Sequence, residues 1–515
     1  MRRPSGRWDR LRRGTNLSNH NDFQLPEIVR TPSRFRNPIG KYRLHRSDQC
    51  EGCGKCVAVC PYGVHVIRRG KVFVENHYLC IGPDCPEPCY EICPVNALSC
   101  KRNPAFDALG DYRWPADLLV STWYMAETGS MPPAGLEYKI GASGGGFDKL
   151  RIVIKKDKPG LEEIPDDAVD MSVQLNRRND KAHQVKIQVP FYGGGMSYGS
   201  VSIRTILSRM KAAKELGTFC CTGEGGFPDE LRPYDDNVIT QVATGLFGVK
   251  EETIKRVKIV EFKYAQGAKP GLGGHLLGDK VTPGVARMRE AVVGYPLFSP
   301  FPFHSVYSVE DHKKHVDWIK AMNPQALVSV KVSTPTDVDM VAVGSYYAGA
   351  HIIHLDGSYG GTGAAPDIAK KNIAMPIEYA LPKVHQFLQE EGVRDKITVI
   401  ASGGVRTPHD VAKIIALGAD GVCTGTADMV ALECVRCHNC ESGRGCARGI
   451  ATTDSELMEL MEHEWGTQRL INMFLAWRKE LIRILKRLGM KSIRELVGQS
   501  DCLVHLDYMK NRDLK

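Results

Sequence analysis

The residues of this chain that are best suited to chemistry are its cysteines, because twelve of the 17 fall into three groups. The first group has the spacing C-x2-C-x2-C-x3-C-P, and its members are Cys50, Cys53, Cys56 and Cys60. In this spacing three neighbouring thiolates hold one corner of a [4Fe–4S] cluster, and the fourth thiolate reaches a second cluster. The alternative is a zinc ribbon, which needs two separate C-x2-C pairs. The spacing therefore favours iron–sulfur ligation.

A second, looser group of cysteines follows and supplies the remaining ligands for two clusters. Its members are Cys80, Cys85, Cys89 and Cys93, the last of which again precedes a proline. A pseudo-symmetric assignment gives the first cluster the ligands Cys50, Cys53, Cys56 and Cys93. It gives the second cluster the ligands Cys60, Cys80, Cys85 and Cys89. Together the two groups predict a ferredoxin-like domain with two [4Fe–4S] clusters.

A third group lies much later in the chain. Its members are Cys434, Cys437, Cys440 and Cys446. Four cysteines within thirteen residues have the spacing of metal ligands, so we predict a third iron–sulfur cluster, with zinc as the alternative. The cysteines outside the groups are expected to be small buried apolar side chains. These are Cys100, Cys220, Cys221, Cys423 and Cys502.

Several iron–sulfur clusters in one chain imply a group that converts single electrons into two-electron chemistry, and a flavin is the usual converter. In (β/α)8 barrels a phosphate is often held by backbone N–H groups in the loops after the seventh and eighth strands. Those loops are expected at Gly403 and Gly404 and at Gly425 and Thr426, although glycines also simply end strands. Lys331, at the end of a predicted strand, would place a cation near the flavin N1–C2 region; the alternative is a solvated lysine.

The elements that must position these residues begin at about residue 185. Short continuous apolar runs, such as ALVSVKVS and ITVIAS, alternate with helical stretches and end in glycine-rich turns. Continuous apolar runs predict parallel strands that are buried on both faces. Seven or eight such units over about 260 residues favour an α/β fold with a (β/α)8 TIM barrel over an open doubly wound sheet. No G-x-G-x-x-G run opens a helix after an early strand, so no Rossmann site for NAD(P)H or FAD is predicted.

The composition bounds the class of protein. The 515 residues are 43% hydrophobic, which is enough for a large core and excludes global disorder. The net charge of +9 is mild, so we expect no nucleic-acid binding. No apolar run approaches the ~20 residues of a membrane span, and the start MRRPSGRWDR lacks the apolar segment of a secretory signal. We therefore expect no membrane partner and a cytoplasmic protein with reduced thiols.

The chain divides into five predicted segments. They are a basic N-terminal arm (1–45), the ferredoxin-like domain (46–102), a connector (103–180), the barrel with the third cluster site at 434–446 (181–453), and C-terminal capping helices (454–515).

Four motifs resemble the FMN-binding synthase domain of glutamate synthase. They are MSYGS at 196–200, CTGEGG at 221–226, QGAKPG at 266–271 and GGTGAAP at 360–366. The whole chain resembles the stand-alone archaeal-type form, in which a two-cluster ferredoxin module precedes this domain. The resemblance implies that the flavin is FMN. The third cysteine group occupies the position of the family's [3Fe–4S] cluster, and its four cysteines here favour [4Fe–4S].

The resemblance also implies a reaction, the reductive amination of 2-oxoglutarate. Ammonia condenses with the keto acid, and reduced FMN delivers a hydride to 2-iminoglutarate, which gives L-glutamate. Cations are needed to hold two carboxylates and to polarise the imine. Residues at family positions near flavin and substrate are Lys263, Gln266, Lys269 and Arg289. Residues implied to contact FMN are Met196, Ser197, Lys331, Gly361, Gly363, Gly403, Gly404, Gly425 and Thr426.

Two of these assignments have structural alternatives. Glu224 is the candidate for handling ammonia or a proton, but its carboxylate could instead accept N–H bonds within its own loop. Arg289 could be a charge on a helix surface. The chain also departs from the family pattern near the substrate loops: Leu272 replaces Glu, His275 replaces Gln, and Tyr359 replaces Asp.

The resemblance implies several partners as well. The chain shows neither an N-terminal nucleophilic cysteine nor a glycine-repeat β-helix, so we expect separate glutaminase and β-helix subunits. Electrons are expected from ferredoxin or a reductase subunit, through the N-terminal clusters. Two other functions stay open: the large subunit of an N-methylglutamate synthase, and a non-catalytic electron-transfer subunit that carries FMN and clusters.

Overall fold

A computed structural model describes most of the chain. The described residues are 23–34, 39–143, 145–154, 160–301, 303–366, 368–370, 372–441 and 444–507. Residues 1–22 and 35–38 of the predicted basic arm therefore lie outside the described residues. The division into five segments stays a prediction.

Eight parallel strands close into a barrel in the order of the sequence, which confirms the predicted (β/α)8 fold. We label them β1 to β8: Phe191–Gly193, Cys220–Cys221, Val238–Ala243, Ile259–Lys263, Leu327–Ser333, Ile352–Asp356, Thr398–Ser402 and Gly421–Thr424. Every residue of β3 and of β5 is buried, as the continuous apolar runs require. The run VKIQV contributes only the short strand Lys186–Ile187, which pairs with Val173–Gln174 outside the barrel.

Helices follow the strands and cover the outside of the barrel. In chain order they are Ile203–Glu215, the 3-10 helix Asp229–Asn237, Glu251–Arg256, Val309–Met322, Val338–Tyr347, Ile377–Glu390, Pro408–Ala416 and Thr426–Ala431. Several start at a side-chain cap; for example, the Ser202 hydroxyl accepts a hydrogen bond from Thr205 N–H. An insertion after β4 adds the helix Pro283–Arg289 and an antiparallel pair of strands, Gly274–Leu276 and Leu297–Ser299.

The cysteine-rich region before the barrel is built from short elements. Its strands are Tyr42–Arg46 paired with Leu98–Arg102, and the hairpin of His65–Arg68 and Lys71–Val74. Its helices are the α-helix Lys55–Val59 and the 3-10 helices His77–Leu79 and Gly82–Asp84. A small core of its own holds these elements together, and it consists of Cys56, Val72, Cys89 and Leu98.

Segments that precede and follow the barrel in the sequence pack on its helices. The helix Ala116–Thr128 of the connector and the helix His463–Arg487 lie against each other, and the latter also packs on Ile203–Glu215. Trp123 and Trp477 are fully buried there. The remaining elements are the helices Pro104–Asp107 and Ser455–Met458, the 3-10 helices Gly146–Lys149, Asp166–Ala168, Gly278–Lys280, Ile493–Leu496 and Ser500–Cys502, and the strands Leu150–Ile152 and Leu503–His505. In the described part of the chain, no helix is long and apolar enough to cross a membrane.

Candidate active site and cluster sites

The loops at the carboxyl end of the barrel bring a carboxylate and a cation together. Glu224 follows β2, and Lys263 is the last residue of β4. Glu224 Oε2 lies 3.4 Å from Lys263 Nζ, and both side chains are largely buried. A Cβ built on Gly274 would lie 1.5 Å from Glu224 Oε1, so the inserted hairpin has room for this carboxylate only because residue 274 is glycine. The charge of Glu224 is therefore directed at a cation.

Two further cations of the predicted set are buried in the same region. Lys269 is 4% exposed, and burial together with the neighbouring Lys263 lowers its pKa to about 8. Its backbone N–H donates to the carbonyl of Gln266, which closes the turn of the QGAKPG motif. Burying a lysine costs folding energy, and groups with strongly shifted pKa values cluster at functional sites. Lys269 therefore fits a site for a carboxylate.

Arg289 is buried and does not lie on a helix surface. Its Nη2 donates to Ser197 Oγ and to the carbonyl of Tyr198, both at 2.9 Å, so it ties the inserted helix to the loop after β1. Burial lowers its pKa to about 10, partly offset by Glu224. Its Nε is buried and has no hydrogen-bond partner in the part of the chain that the structure describes. A buried unpaired donor fits a site that an anion completes.

A layer of buried polar side chains lies across strands β3 to β7, and our sequence analysis missed it. Glu261 on β4 accepts hydrogen bonds from Gln241 Nε2 at 2.7 Å and from Ser329 Oγ at 3.1 Å. Its Oε2 also lies 3.1 Å from His354 Nδ1. Burial opposes the charge of Glu261, but His354 and the other partners lower its pKa to about 2. The signal in the sequence was a charged residue inside an apolar run, as in VKIVEFK.

This layer of polar side chains extends to Lys331, which is predicted to lie beside the flavin. His354 Nε2 lies 2.8 Å from Ser402 Oγ, which donates to Asp356 Oδ1 at 2.6 Å. Asp356 Oδ2 lies 3.3 Å from Lys331 Nζ and also accepts the N–H of Gly267 at 3.0 Å. Lys331 is buried, which disfavours its charge, yet Asp356 and Glu261 raise its pKa above the usual value. Lys331 is thus a fixed cation in the barrel and not a solvated lysine.

The glycines of the predicted phosphate loops lie where a side chain would not fit. Gly403 and Gly404 have φ values of 99° and 98°, which L side chains rarely adopt. A Cβ on Gly403 would lie 2.6 Å from the Gly357 carbonyl oxygen, and one on Gly361 would lie 2.4 Å from Thr426 Oγ1. The loops after β6, β7 and β8 therefore approach each other closely at glycines, and glycine-rich loops of this kind can present backbone N–H groups to a phosphate.

Met196 and Gly363 lie where the predicted phosphate loops border two other parts of the chain. A Cβ on Gly425 would lie 3.6 Å from Met196 Cε, so the loop after β1 borders the loop after β8. A Cβ on Gly363 would lie 3.3 Å from Cys440 Cβ, so the GGTGAAP loop lies against the third cysteine group. Fixed cations, glycine loops and a neighbouring thiol group together fit an FMN site.

The three residues that depart from the family pattern occupy different places. Tyr359 lies under the connector, where Arg113 Cζ is 3.1 Å from the centre of its ring. The ring of His275 stacks on Phe298 of the inserted hairpin, with 4.8 Å between centroids and 8° between planes. Leu272 is exposed. Leu272 and His275 thus lie on the insertion that borders Glu224, and Tyr359 packs the connector against the barrel.

The cysteines assigned to the second cluster surround one cavity in the N-terminal region. Its lining includes Cys60, Cys80, Cys85 and Cys89 together with Leu44, Val64, Ile81 and Tyr90. Four thiols in an apolar cavity fit a [4Fe–4S] cluster. Cys220, Cys221, Cys423 and Cys502 are buried, as expected, whereas Cys100 is only partly buried and lies beside Cys80 and Cys85.

Arg46 and His65 form a bridge between the two predicted cluster sites. Arg46 Nη1 donates to Cys50 Sγ at 2.9 Å, and its Nη2 to Cys56 Sγ at 3.5 Å. The same Nη2 lies 3.3 Å from His65 Nδ1, and His65 Nε2 lies 3.1 Å from Cys89 Sγ. Burial and the Arg46 charge lower the pKa of His65 to about 4. A hydrogen bond that Cys50 Sγ accepts from the Gly52 backbone N–H, together with Arg46, lowers the pKa of Cys50, which favours the thiolate.

The third cysteine group is held in a loop of unusual backbone conformation. Glu433, Arg436 and His438 have φ values of 72°, 61° and 61°, although none of them is glycine. Such strain persists only where the surroundings enforce it, and it is typical of ligand-binding loops. Lys280 Nζ donates to the Cys440 carbonyl at 2.6 Å, and Asp111 of the connector pairs with Arg436 at 2.8 Å. The loop fits a cluster site, whereas among the described residues no three His, Cys, Asp or Glu side chains are arranged to hold a single metal ion.

Comparison with known proteins assigns the chain to a family. A family model described as a conserved region in glutamate synthase matches residues 149–491, and a 4Fe-4S binding domain model matches residues 45–64. The chain is 37% identical to the archaeal-type glutamate synthase (NADPH) of Thermotoga maritima, over 90% of this chain and 94% of that protein. The chain belongs to the glutamate synthase family. The predicted resemblance is thereby confirmed.

A second relative agrees with this family. The archaeal glutamate synthase (NADPH) of Methanocaldococcus jannaschii is also 37% identical, over 90% of this chain and 94% of that protein. Among solved structures, a flavocytochrome b2 variant aligns with a TM-score of 0.43 and 17% identity, over 71% of this chain and 78% of that chain. As a member of the glutamate synthase family, the chain is an oxidoreductase, and its 4Fe-4S binding domain contains the first cysteine group.

Proposed function

We propose that this protein forms L-glutamate by reductive amination of 2-oxoglutarate. One observation carries the proposal. Three cations lie close to Glu224 at the carboxyl end of the barrel, and all three are buried or largely buried: Lys263, Lys269 and Arg289. Relatives named as glutamate synthases over nearly the whole chain support the same reaction. A dicarboxylate substrate matches this set of charges, because two carboxylates need at least two cations once they leave water.

The cations bind and orient the substrate. Lys269 and Arg289 hold the carboxylates, and the Arg289 guanidinium is already fixed by Ser197 and Tyr198, so little side-chain entropy is lost on binding. Gln266, in the turn that presents Lys269, helps to orient the keto acid. Lys263 lies between this region and Glu224, where it polarises the carbon–nitrogen double bond.

Glu224 handles the incoming amine. Its carboxylate accepts a proton from ammonium, or orients ammonia, next to the carbonyl carbon. Lys263 holds this carboxylate in place, with 3.4 Å between Nζ and Oε2.

The protein's own groups also hold the cofactors. FMN would be held by the loops that contain Met196, Ser197, Gly361, Gly363, Gly403, Gly404, Gly425 and Thr426, with Lys331 as the cation beside the ring. The N-terminal cysteine groups would hold two [4Fe–4S] clusters, and Cys434, Cys437, Cys440 and Cys446 a third cluster. When bound, the clusters supply single electrons and FMN supplies a hydride.

Separate subunits and the electron donor complete the proposal. We propose that ammonia comes from a separate glutaminase subunit with a separate β-helix subunit as scaffold, and that electrons enter through the N-terminal clusters.

The experiment that tests the function is an anaerobic purification with iron, sulfide and FMN quantified. An assay with reduced methyl viologen, 2-oxoglutarate and one of ammonia, methylamine or glutamine should follow, with the product identified by mass spectrometry. We expect glutamate from ammonia and no product from glutamine. A colourless protein without FMN or sulfide, or N-methylglutamate as the main product, would contradict the proposal.

A further inference from the structure

The cysteine-rich region carries opposite charges on its two parts. Residues 50–74, which hold most of the first cluster's cysteines, contain four cations and a single acid, Glu51. The cations are Lys55, Arg68, Arg69 and Lys71. Residues 80–93, which hold the second cysteine group, contain three acids and no lysine or arginine. The acids are Asp84, Glu87 and Glu91. The two cysteine groups therefore lie in segments of opposite net charge.

The cationic part surrounds an exposed cysteine. Cys53 is exposed, in contrast to Cys56, which is buried. The loop that contains Cys53 lies against the hairpin of His65–Arg68 and Lys71–Val74: a Cβ on Gly54 would lie 3.6 Å from Ile67 Cδ1, and one on Gly52 would lie 3.8 Å from the Gly70 carbonyl oxygen. The turn of the hairpin, with Arg69 and Gly70, is therefore next to the exposed thiol.

Three of the four cations are available to a partner. Arg68 pairs with Glu75, so its charge is largely neutralised. Lys55, Arg69 and Lys71 are exposed and form no ion pair with the residues that the structure describes. Ile67 between them is 56% exposed, although it belongs to a strand. Exposed cations around an exposed apolar side chain are typical of small, transient interfaces.

We propose that this surface, made of Cys53, Lys55, Ile67, Arg69 and Lys71 and called here the donor surface, docks a one-electron carrier protein with an acidic face. This inference rests on the proposed function, in which electrons enter through the N-terminal clusters. In each encounter the reduced carrier loses one electron and the cluster at Cys53 gains it, with no bond made or broken. Two encounters supply the electron pair for one product.

The charge polarity selects the site of docking. An acidic carrier is attracted to the donor surface and repelled by Asp84, Glu87 and Glu91, so it approaches the first cluster and not the second. Electrons then have a defined direction, from the exposed Cys53 towards the second cysteine group. Electrostatic steering of this kind raises the association rate more than the affinity, and salt weakens the steering.

A charge-reversed variant tests the donor surface. The test variant K55E/R69E/K71E reverses the charges of the three cations of the donor surface. The control variant K181E/K186E/K396E reverses three exposed lysines that lie near the amino-terminal end of the barrel strands. Both variants change the net charge by the same amount. The holoproteins would be reduced in a stopped-flow instrument by a reduced acidic [2Fe–2S] ferredoxin at low and high salt. Methyl viologen, a small reductant that needs no docking surface, serves as the second reductant.

At low salt we expect ferredoxin to reduce the donor-surface variant at a rate that is lower by about tenfold or more than the rate of the unchanged protein. At high salt this difference should become smaller. The control variant and the methyl viologen rates should stay near those of the unchanged protein. Equal ferredoxin rates for all three proteins would overturn the donor surface. In that case glutamate formation with methyl viologen would still stand, whereas failure of that assay in the unchanged protein would overturn the proposed function itself.

Discussion

Glu224 and Lys263 form an ion pair at the carboxyl end of the barrel, with 3.4 Å between the carboxylate Oε2 and the ammonium Nζ. They come from neighbouring regions of the wall, after β2 and at the end of β4, and the inserted hairpin closes over the carboxylate at Gly274. This pair joins the group that handles the amine to the cations that hold the keto acid. It is the relationship on which the proposed chemistry depends most directly.

The variant E224Q keeps the size of the side chain and removes its charge. We expect glutamate formation from ammonia to fall by about 100-fold or more, because general acid–base groups contribute at least that factor. Reduction of the clusters and the FMN content should not change. The exposed carboxylate Glu391 provides the control variant E391Q. An unchanged turnover in E224Q would favour a non-catalytic electron-transfer subunit.

The lowered pKa of Lys269 predicts a pH dependence of substrate binding. Lys269 is a cation below its pKa of about 8 and loses its charge above it. We therefore expect kcat/KM for 2-oxoglutarate to fall as the pH rises through about 8, with the concentration of free ammonia kept constant. In K269R the fall should move to higher pH, because arginine stays protonated. A profile that is identical in both proteins would contradict a carboxylate-binding role for Lys269.

The hydrogen bonds from Arg46 to Cys50 and Cys56 predict an effect on redox potential. Donors to cluster sulfur and a nearby cation stabilise the reduced, more negative cluster. We expect R46Q to lower the potential of the first cluster by roughly 40 mV, which corresponds to ~1 kcal/mol for one electron. A redox titration followed by EPR measures this shift. R43Q, on the same strand but with an exposed side chain, should leave the potential unchanged; equal shifts in both variants would argue against a specific contact.

The contact between Gly361 and Thr426 predicts a steric effect on FMN binding. A Cβ at residue 361 would lie 2.4 Å from Thr426 Oγ1, so G361A must displace the Thr426 side chain, a predicted FMN contact. We expect the FMN dissociation constant to rise about tenfold or more, since overpacking typically costs ~1–3 kcal/mol. Removing the hydroxyl in G361A/T426A should restore part of the affinity. Fluorescence quenching of FMN by the apoprotein measures both effects, and a double variant weaker than G361A would refute the steric explanation.

Much of the fold and the site was predictable from local patterns. Continuous apolar runs such as ALVSVKVS led to the barrel, because a strand covered on both faces must be apolar throughout. The glycines at 361 and 403 were found as motif residues, and the structure supplies the reason for them in close backbone contacts. Apolar content alone does not show which sheet a strand joins: VKIQV, just before β1, forms only the short strand Lys186–Ile187, which pairs outside the barrel.

The cysteine spacing alone indicated the chemistry, because the geometry of a cluster fixes how far apart its ligands lie along a short loop. The sequence could not show that Arg46 and His65 bridge the two cluster sites, that Asp111 of the connector holds Arg436, or that Lys331 connects through Asp356 and Ser402 to His354 and Glu261. These contacts join residues far apart in the chain. Such residues come within hydrogen-bonding distance only when the barrel closes and the connector packs against it. The tertiary structure therefore determines these contacts.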